Sequence, residues 1–494
     1  MNSPPINGIA AGRDLDDGAV ALDVDTNRLT MKGTGKLAGI PATIDASMDF
    51  RSGPPTQVVQ RIAVTARTTA RALAEAGLDS SGAVAGEVGL NAVVRQFRNG
   101  DGDIAVDADL TAAVLTLAPL AWQKPAGAAA KGAARLKLTK DRLTAIEAIV
   151  LEGAGLRVHG AAAATGGRFD TIRVERAAFG RNDFSGTIRL RHGAPTAIDL
   201  SGASIDLAAR LQEKAPPKET GASDPPFSAS GTFDRVFLAR DRVATGVSFA
   251  VESDGTMNRA VSVTGTGGTG RPFSVRIGTE NGARRIVASS GDAGDLLAGL
   301  GISSTVQGGV LTLSGVFDDS RADHALTGTL EMADYRLIGA PILGRVLQAV
   351  TLYGLLDTLG GPGLGFSRLI VPFQTAGDVL ILRDARAFSP SLGLTAKGRI
   401  DRAAGRLDLE GTVVPAYVFN SLLGRIPFIG GLFTAEKDGG LLAMNYSLHG
   451  PMDNPDVMAN PLSAVTPGIL RGMFQIFDQP APAPANPGAE GRKP

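Results

Sequence analysis

The chain contains no cysteine, which excludes disulfides and thiolate metal ligands. That absence also suits an oxidising compartment, where a stray thiol is a liability. Aromatic residues are scarce, at 5%, so the fold cannot rest on thick aromatic cores. Net charge is lacking too, because 49 Lys and Arg balance 49 Asp and Glu. No global field therefore draws the chain to nucleic acid or to an anionic surface. No uncharged apolar run reaches about 18 residues, the length of a spanning helix. Met1–Asn7 shows neither the basic nor the apolar region of a signal peptide. The chain opens instead in strand-like text (Ala19–Asp25, Leu29–Gly33), which points to further sequence upstream.

What is abundant is glycine, with 64 residues, and alternation of period two. Leu136 and Leu138 flank Lys137, and Ile172 and Val174 flank Arg173. Ile188 and Leu190 alternate with Arg189 and Arg191, and Leu311 and Leu313 with Thr312 and Ser314. Leu407 and Leu409 alternate with Asp408 and Glu410. Each set gives a strand one apolar and one polar face. Turn-forming text such as Asn99–Asp103 and Arg191–Pro195 separates the runs. The pattern predicts a mainly β fold: an elongated, curled antiparallel sheet, groove-like and repeat-built, with a few amphipathic helices clustered toward the C-terminus. A short internal repeat supports this. Leu73–Gly86 matches Leu297–Gly308 with a two-residue gap. In each, a helix ends at a glycine (Gly77, Gly301) and a strand follows. The helices are expected near 56–76 and over 293–300.

Residues 1–213 read as one repetitive β region. The Pro-rich, charged stretch 214–226 reads as a linker or exposed loop. A second β region spans 227–477, and 478–494 reads as a disordered tail. Three apolar helices are expected in the second region, near 341–359, 415–424 and 467–477. Pro341 favours a helix start. Arg345 and Asp357 would each cost roughly 2.5–3.5 kcal/mol at a bilayer centre, which argues against a membrane span. Packing over the sheet is the plain reading of these helices; contact with a membrane or partner is the sharper one. Leu343, Leu347, Phe419, Leu423, Leu470 and Phe474 are the candidates for such contact. The apolar turn Ile426–Phe433 reads as buried beneath the helices.

Several motifs tempt and fail. Gly265–Gly270 has the glycine spacing of a dinucleotide fingerprint, but strand text follows where a helix is required. The carboxylates of Asn99–Asp109 lack the glycine and flanking helices of a calcium loop, and Asp318, Asp319, Asp323 and His324 read as a solvated turn. The four histidines, His159, His192, His324 and His449, have no metal-ligand spacing. No nucleophile elbow appears, and no aromatic interleaving of the kind that stacks bases. The sequence therefore predicts no enzyme, no cofactor, no metal and no nucleic-acid partner.

The block from about Gly291 to Phe477 resembles the C-terminal region of the AsmA-like superfamily, in its YhdP-type branch. The resemblance is carried by Gly308–Gly315, Leu326–Leu330, Ala340–Leu343, Leu392–Asp401, Gly411–Tyr417, Ile426–Gly430, and Asn460–Ser463 with Pro467–Arg471. It implies a periplasmic protein of Gram-negative envelopes, anchored in the inner membrane, whose hydrophobic β-groove carries phospholipid toward the outer membrane. The family's N-terminal anchor is missing from this text. Exposing a two-chain lipid to water costs on the order of 20 kcal/mol, at about 0.8 kcal/mol per methylene. An apolar trough would offset most of that without acid, base or metal. The apolar residues of the five alternating sets are the candidate groove lining. The alternative is an assembly factor for outer-membrane biogenesis that contacts other envelope proteins through its β edges.

Overall fold

The computed structural model describes residues 6–10, 13–78, 82–140, 142–153, 155–191, 193–212, 224–349, 352–415 and 444–461. The chain divides into two compact units, Met1–Ser304 and Thr305–Pro494. Both are mainly β, built from open antiparallel sheet.

In the first unit, β1 (Ile6–Ala10), β2 (Arg13–Val24), β3 (Arg28–Leu37), β4 (Ile40–Asp49) and β5 (Val58–Thr69) lead to α1 (Ala70–Glu75). Next come β6 (Val84–Phe97), β7 (Gly102–Asp109), β8 (Ala113–Leu117), a 3-10 turn (Ala118–Leu120) and β9 (Trp122–Lys124). The sheet resumes with β10 (Lys131–Thr139), β11 (Arg142–Gly153), β12 (Leu156–Thr165), β13 (Arg168–Phe179), β14 (Asn182–Arg189) and β15 (Thr196–Asp206). After α2 (Ala208–Gln212) follow β16 (Phe227–Phe237), β17 (Val243–Ser253), β18 (Asn258–Thr266), β19 (Pro272–Glu280), β20 (Ala283–Ser290) and α3 (Ala293–Gly299). The second unit holds β21 (Val306–Asp318), β22 (Ala325–Leu337), α4 (Pro341–Ala349), α5 (Tyr353–Gly360), β23 (Leu364–Ala376), β24 (Val379–Phe388), β25 (Leu392–Asp401), β26 (Arg406–Pro415), β27 (Met444–Pro451) and β28 (Asp456–Pro461).

Element order repeats along the chain. Among the described residues, five strands (β1–β5) precede α1, two follow, a capping insertion intervenes, and six more complete the first copy at β15. The second copy has β16–β20, α3, β21–β22, the insertion α4–α5, and β23–β28. Both helices end alike. Leu78 donates its N–H to the Leu73 carbonyl at 2.8 Å, and Ile302 to that of Leu297 at 2.8 Å. Gly77 and Gly301 carry positive φ, 81° and 69°, as a glycine-terminated helix requires. The sequence repeat at Leu73 and Leu297 is thus one visible piece of a larger duplication. The copies are joined by β15 and β16, which pair in parallel over Thr196–Asp206 and Phe227–Phe237.

Three expectations change. The helix expected near 56–76 is confined to Ala70–Glu75, and Val58–Thr69 is a strand. Val58, Val59, Ile62, Val64 and Thr65 are β-branched and stiff at χ1, which favours a pleated surface. The single helix expected near 341–359 is two, α4 and α5, with Leu352 ahead of α5 in a non-helical conformation, φ −91° and ψ 58°. The stretch 214–226 separates no domains, since the strands on either side of it are bonded neighbours. A parallel pair needs a crossover of a dozen or more residues, and this stretch belongs to that crossover. The boundary between units falls at Ser304 instead. The helices expected near 415–424 and 467–477, the turn Ile426–Phe433 and the tail 478–494 lie outside the described residues, apart from Pro415, which ends β26.

Candidate functional site

The insertion of the first copy folds into a flap. β7 and β10 pair directly, Asp109 opposite Lys131, so residues 110–130 leave the sheet and return to it. The start of β6 departs with them: Gly89–Gln96 pair with β7, whereas Val84–Gly86 pair with β8 in a second, smaller sheet. Gly86 sits at this bend with φ 91°, a conformation side chains resist. A Cβ there would lie 3.2 Å from the Ala112 carbonyl oxygen.

Lys124 pins the flap. Only 1% of it is exposed. Its Nζ donates to the carbonyl oxygens of Ala128 at 2.8 Å, Pro125 at 2.9 Å and Thr111 at 3.4 Å. The ammonium thus exchanges its water for three main-chain acceptors, of which the Thr111 carbonyl also accepts from the Gly127 N–H at 2.8 Å. Beneath lies a core of Val88, Leu110, Ala113, Leu115, Leu156, Ala177 and Phe179. Trp122, the chain's one tryptophan, packs on Phe179 with centroids 4.9 Å apart. The aromatic row continues to Phe184, Phe233 and Phe249 at spacings of 6.2, 6.4 and 6.3 Å. Gly202 lies between Phe184 and Phe233 in the register, so the rings lean over a position with no side chain.

Between flap and sheet is an apolar cavity of about 470 Å³, within the roughly 300–1,000 Å³ of small-molecule sites. Leu117, Leu120 and Trp122 line its flap side, and Val158, Val174, Ile188 and Leu200 its sheet side. The Thr116 hydroxyl and the Trp122 indole N–H are the polar side-chain groups among the residues of its wall. The flap end is closed by buried Leu115 and Phe179. Toward the turns at the far end, the same sheet face ends in Phe169 and Leu190, 39% and 37% exposed. There Asp199, next to Ile198, accepts from the Ser230 hydroxyl at 2.6 Å and from Arg189 at 2.7 Å. Ser230 and then Arg189 hold that carboxyl below the usual carboxylate range.

The expected lining residues fare unequally. Val174 and Ile188 line the cavity. Ile172 stands across from Ile188 in the register, and Leu190 lies one residue beyond β14. Leu136 and Leu138 are half-buried on β10, away from the cavity. Leu311 is buried opposite Met332, and Leu313 is half-buried opposite Leu330. Leu407 and Leu409 are buried in a core with Val346 of α4, Tyr446 and Leu448, so a helix covers the surface they were expected to leave open. Leu347 is fully buried and cannot face a membrane or partner. Helix α4 turns it inward with Val346, while Leu343 is half-buried. Phe419, Leu423, Leu470 and Phe474 lie outside the described residues. Sequence reasoning missed the flap altogether. Its one signal was the lone tryptophan ending the apolar run Leu115–Trp122.

A wider groove of about 1,140 Å³ on the polar face of the first unit is lined by charges of both signs, among them Lys36 and Asp17, paired at 2.9 Å. Among the described residues no group of His, Asp or Glu is placed to hold a metal ion. None of the described helices is long and apolar enough to cross a membrane. No family model, curated protein or solved structure matches the chain.

Proposed function

We propose that this protein is a non-enzymatic component of the bacterial cell envelope that binds phospholipid by its acyl part and serves lipid traffic between inner and outer membrane. One observation carries the reading: a cavity with almost no polar lining, beneath a flap anchored by its own buried lysine. A methylene is close to a water molecule in size, and at about 30 Å³ apiece roughly sixteen fill the 470 Å³ available. That is one acyl chain of ordinary length. Burying it gains on the order of 13 kcal/mol, at about 0.8 kcal/mol per methylene, enough to offset the roughly 4–15 kcal/mol cost of immobilising a ligand. No residue of the wall carries a charge to pair with a headgroup, which suits a chain inserted tail-first.

The test is native mass spectrometry with lipid extraction on protein purified from a bacterial host. Phospholipid should accompany the wild type, be lost from Ile188→Arg, and persist in Thr187→Arg, whose side chain belongs to the other face of β14. Circular dichroism checks that both variants fold. A folded but lipid-free wild type, or equal loss from both variants, would overturn the reading. A phospholipid brominated on its acyl chain should also quench Trp122, the sole indole.

A further inference from the structure

We infer that the open end of this cavity docks on an anionic phospholipid surface, with a rim of basic turns against the headgroup phosphates. The inference rests on the acyl-chain reading and names the class of lipid and the face that meets it. Three hairpin turns form the end opposite the flap: 139–142, 165–168 and 189–196. They carry Lys140, Arg142, Arg168, Arg189 and Arg191 against the single carboxylate of Asp141. Arg189 is paired with Asp199 at 2.7 Å. Lys140, Arg142, Arg168 and Arg191 are exposed, and among the described residues none has a carboxylate partner. The turns at the flap end offer no such charge: 153–156 has none, and Arg181 of 179–182 is paired with Asp206 at 2.8 Å.

Apolar side chains stand among these cations. Phe169 pairs with Ala164 and Leu190 follows Ile188 by two, so both belong to the sheet face that lines the cavity. Exposed apolar groups within a cluster of cations match a lipid surface, where each basic residue gains from the anionic headgroups and the apolar groups from the acyl boundary.

The second copy supplies the contrast. Its matching turns, 376–379, 401–406 and 451–456, carry Arg402 and Arg406 against Asp378, Asp401, Asp453 and Asp456. There α4 fills the space over the sheet with Val346, packed on Leu407 and Leu409. The empty cavity and the basic rim thus occur together in one copy and are both replaced in the other. In the second copy α4 reaches that same end of the sheet, Arg345 donating to the Pro455 carbonyl at 3.0 Å, so the chain itself covers there the face that the first copy leaves open.

The test is co-sedimentation of the full chain with vesicles of phosphatidylglycerol and phosphatidylethanolamine, against vesicles of phosphatidylcholine alone. Binding should require the anionic lipid and weaken as salt screens it. Removing two rim charges in Arg168→Gln/Arg191→Gln should weaken partitioning about 30-fold, since each basic residue contributes roughly fivefold. Arg67→Gln/Arg71→Gln, which removes two charges away from the rim, should bind as wild type. Undiminished binding by the rim variant, equal binding to phosphatidylcholine, or capture by a polyacidic peptide and not by vesicles would overturn the inference. Lipid content of the same preparations separates the two readings: lipid present with an indifferent rim leaves the cavity standing alone, and lipid absent removes both.

Discussion

Lys124 shows how far one residue can depart from its usual place. Lysine is almost never fully buried unless paired, and here the pairing is with carbonyl oxygens. Lys124→Met keeps the length and apolar stem but leaves the Pro125 and Ala128 acceptors unmet in the interior. At about 1–3 kcal/mol for each buried unsatisfied group, the variant should lose on the order of 2–4 kcal/mol, read by chemical denaturation. A loss within about 0.5 kcal/mol, the range of ordinary surface changes, would show that the ammonium does not hold the flap. This role was not legible in the sequence. What buries the lysine is a set of main-chain oxygens that side-chain periodicity does not encode. Val174 and Ile188 were legible as inward residues because strand parity alone decides that. Which inward residues stay unfilled depends on what lies above them.

At the scale of elements, the strands were readable and their covers were not. Alternation such as Leu407-Asp-Leu409 fixes a strand and its faces, yet the same text sits in a closed core because α4 is folded over it. In that core Tyr446 on β27 reaches past Gly411 of β26, where a Cβ would lie 2.7 Å from the phenol oxygen. Its hydroxyl donates to the Thr395 carbonyl on β25 at 2.7 Å. Burial pushes the phenol from its ordinary 10.0 up to about 12. The folded state therefore favours the protonated form more than the unfolded chain does. This contribution is complete below pH 10 and is lost as pH rises toward about 12. Denaturation at graded alkaline pH should show stability falling across that window, and Tyr446→Phe should remove this part of the slope. An unchanged slope would mean the phenol titrates as if exposed. The helix misassigned near 56–69 belongs to the same scale. Gly77 correctly marked a helix end, but glycine marks where a helix stops and carries no information about how far back it began.

For the molecule as a whole, a ligand that binds only the native first unit should stabilise that unit by mass action. At a free lipid concentration of 100 times Kd the gain is about 2.7 kcal/mol. Amide hydrogen exchange should slow in β6, β8 and β11–β15 and stay unchanged in β21–β28. Protection spread evenly over both units would contradict a site confined to the first. The parallel join between β15 and β16 has a consequence of its own. The first copy contributes thirteen strands to its sheet among the described residues, β1–β7 and β10–β15, an odd number. Thirteen strands make twelve reversals, and an antiparallel joint would have added a thirteenth and started the next copy upside down. The parallel joint keeps the starting polarity, so β16 runs in the same direction as β1. The second copy therefore starts in the sense of the first, and β16–β20 repeat the up-and-down order of β1–β5 without inversion.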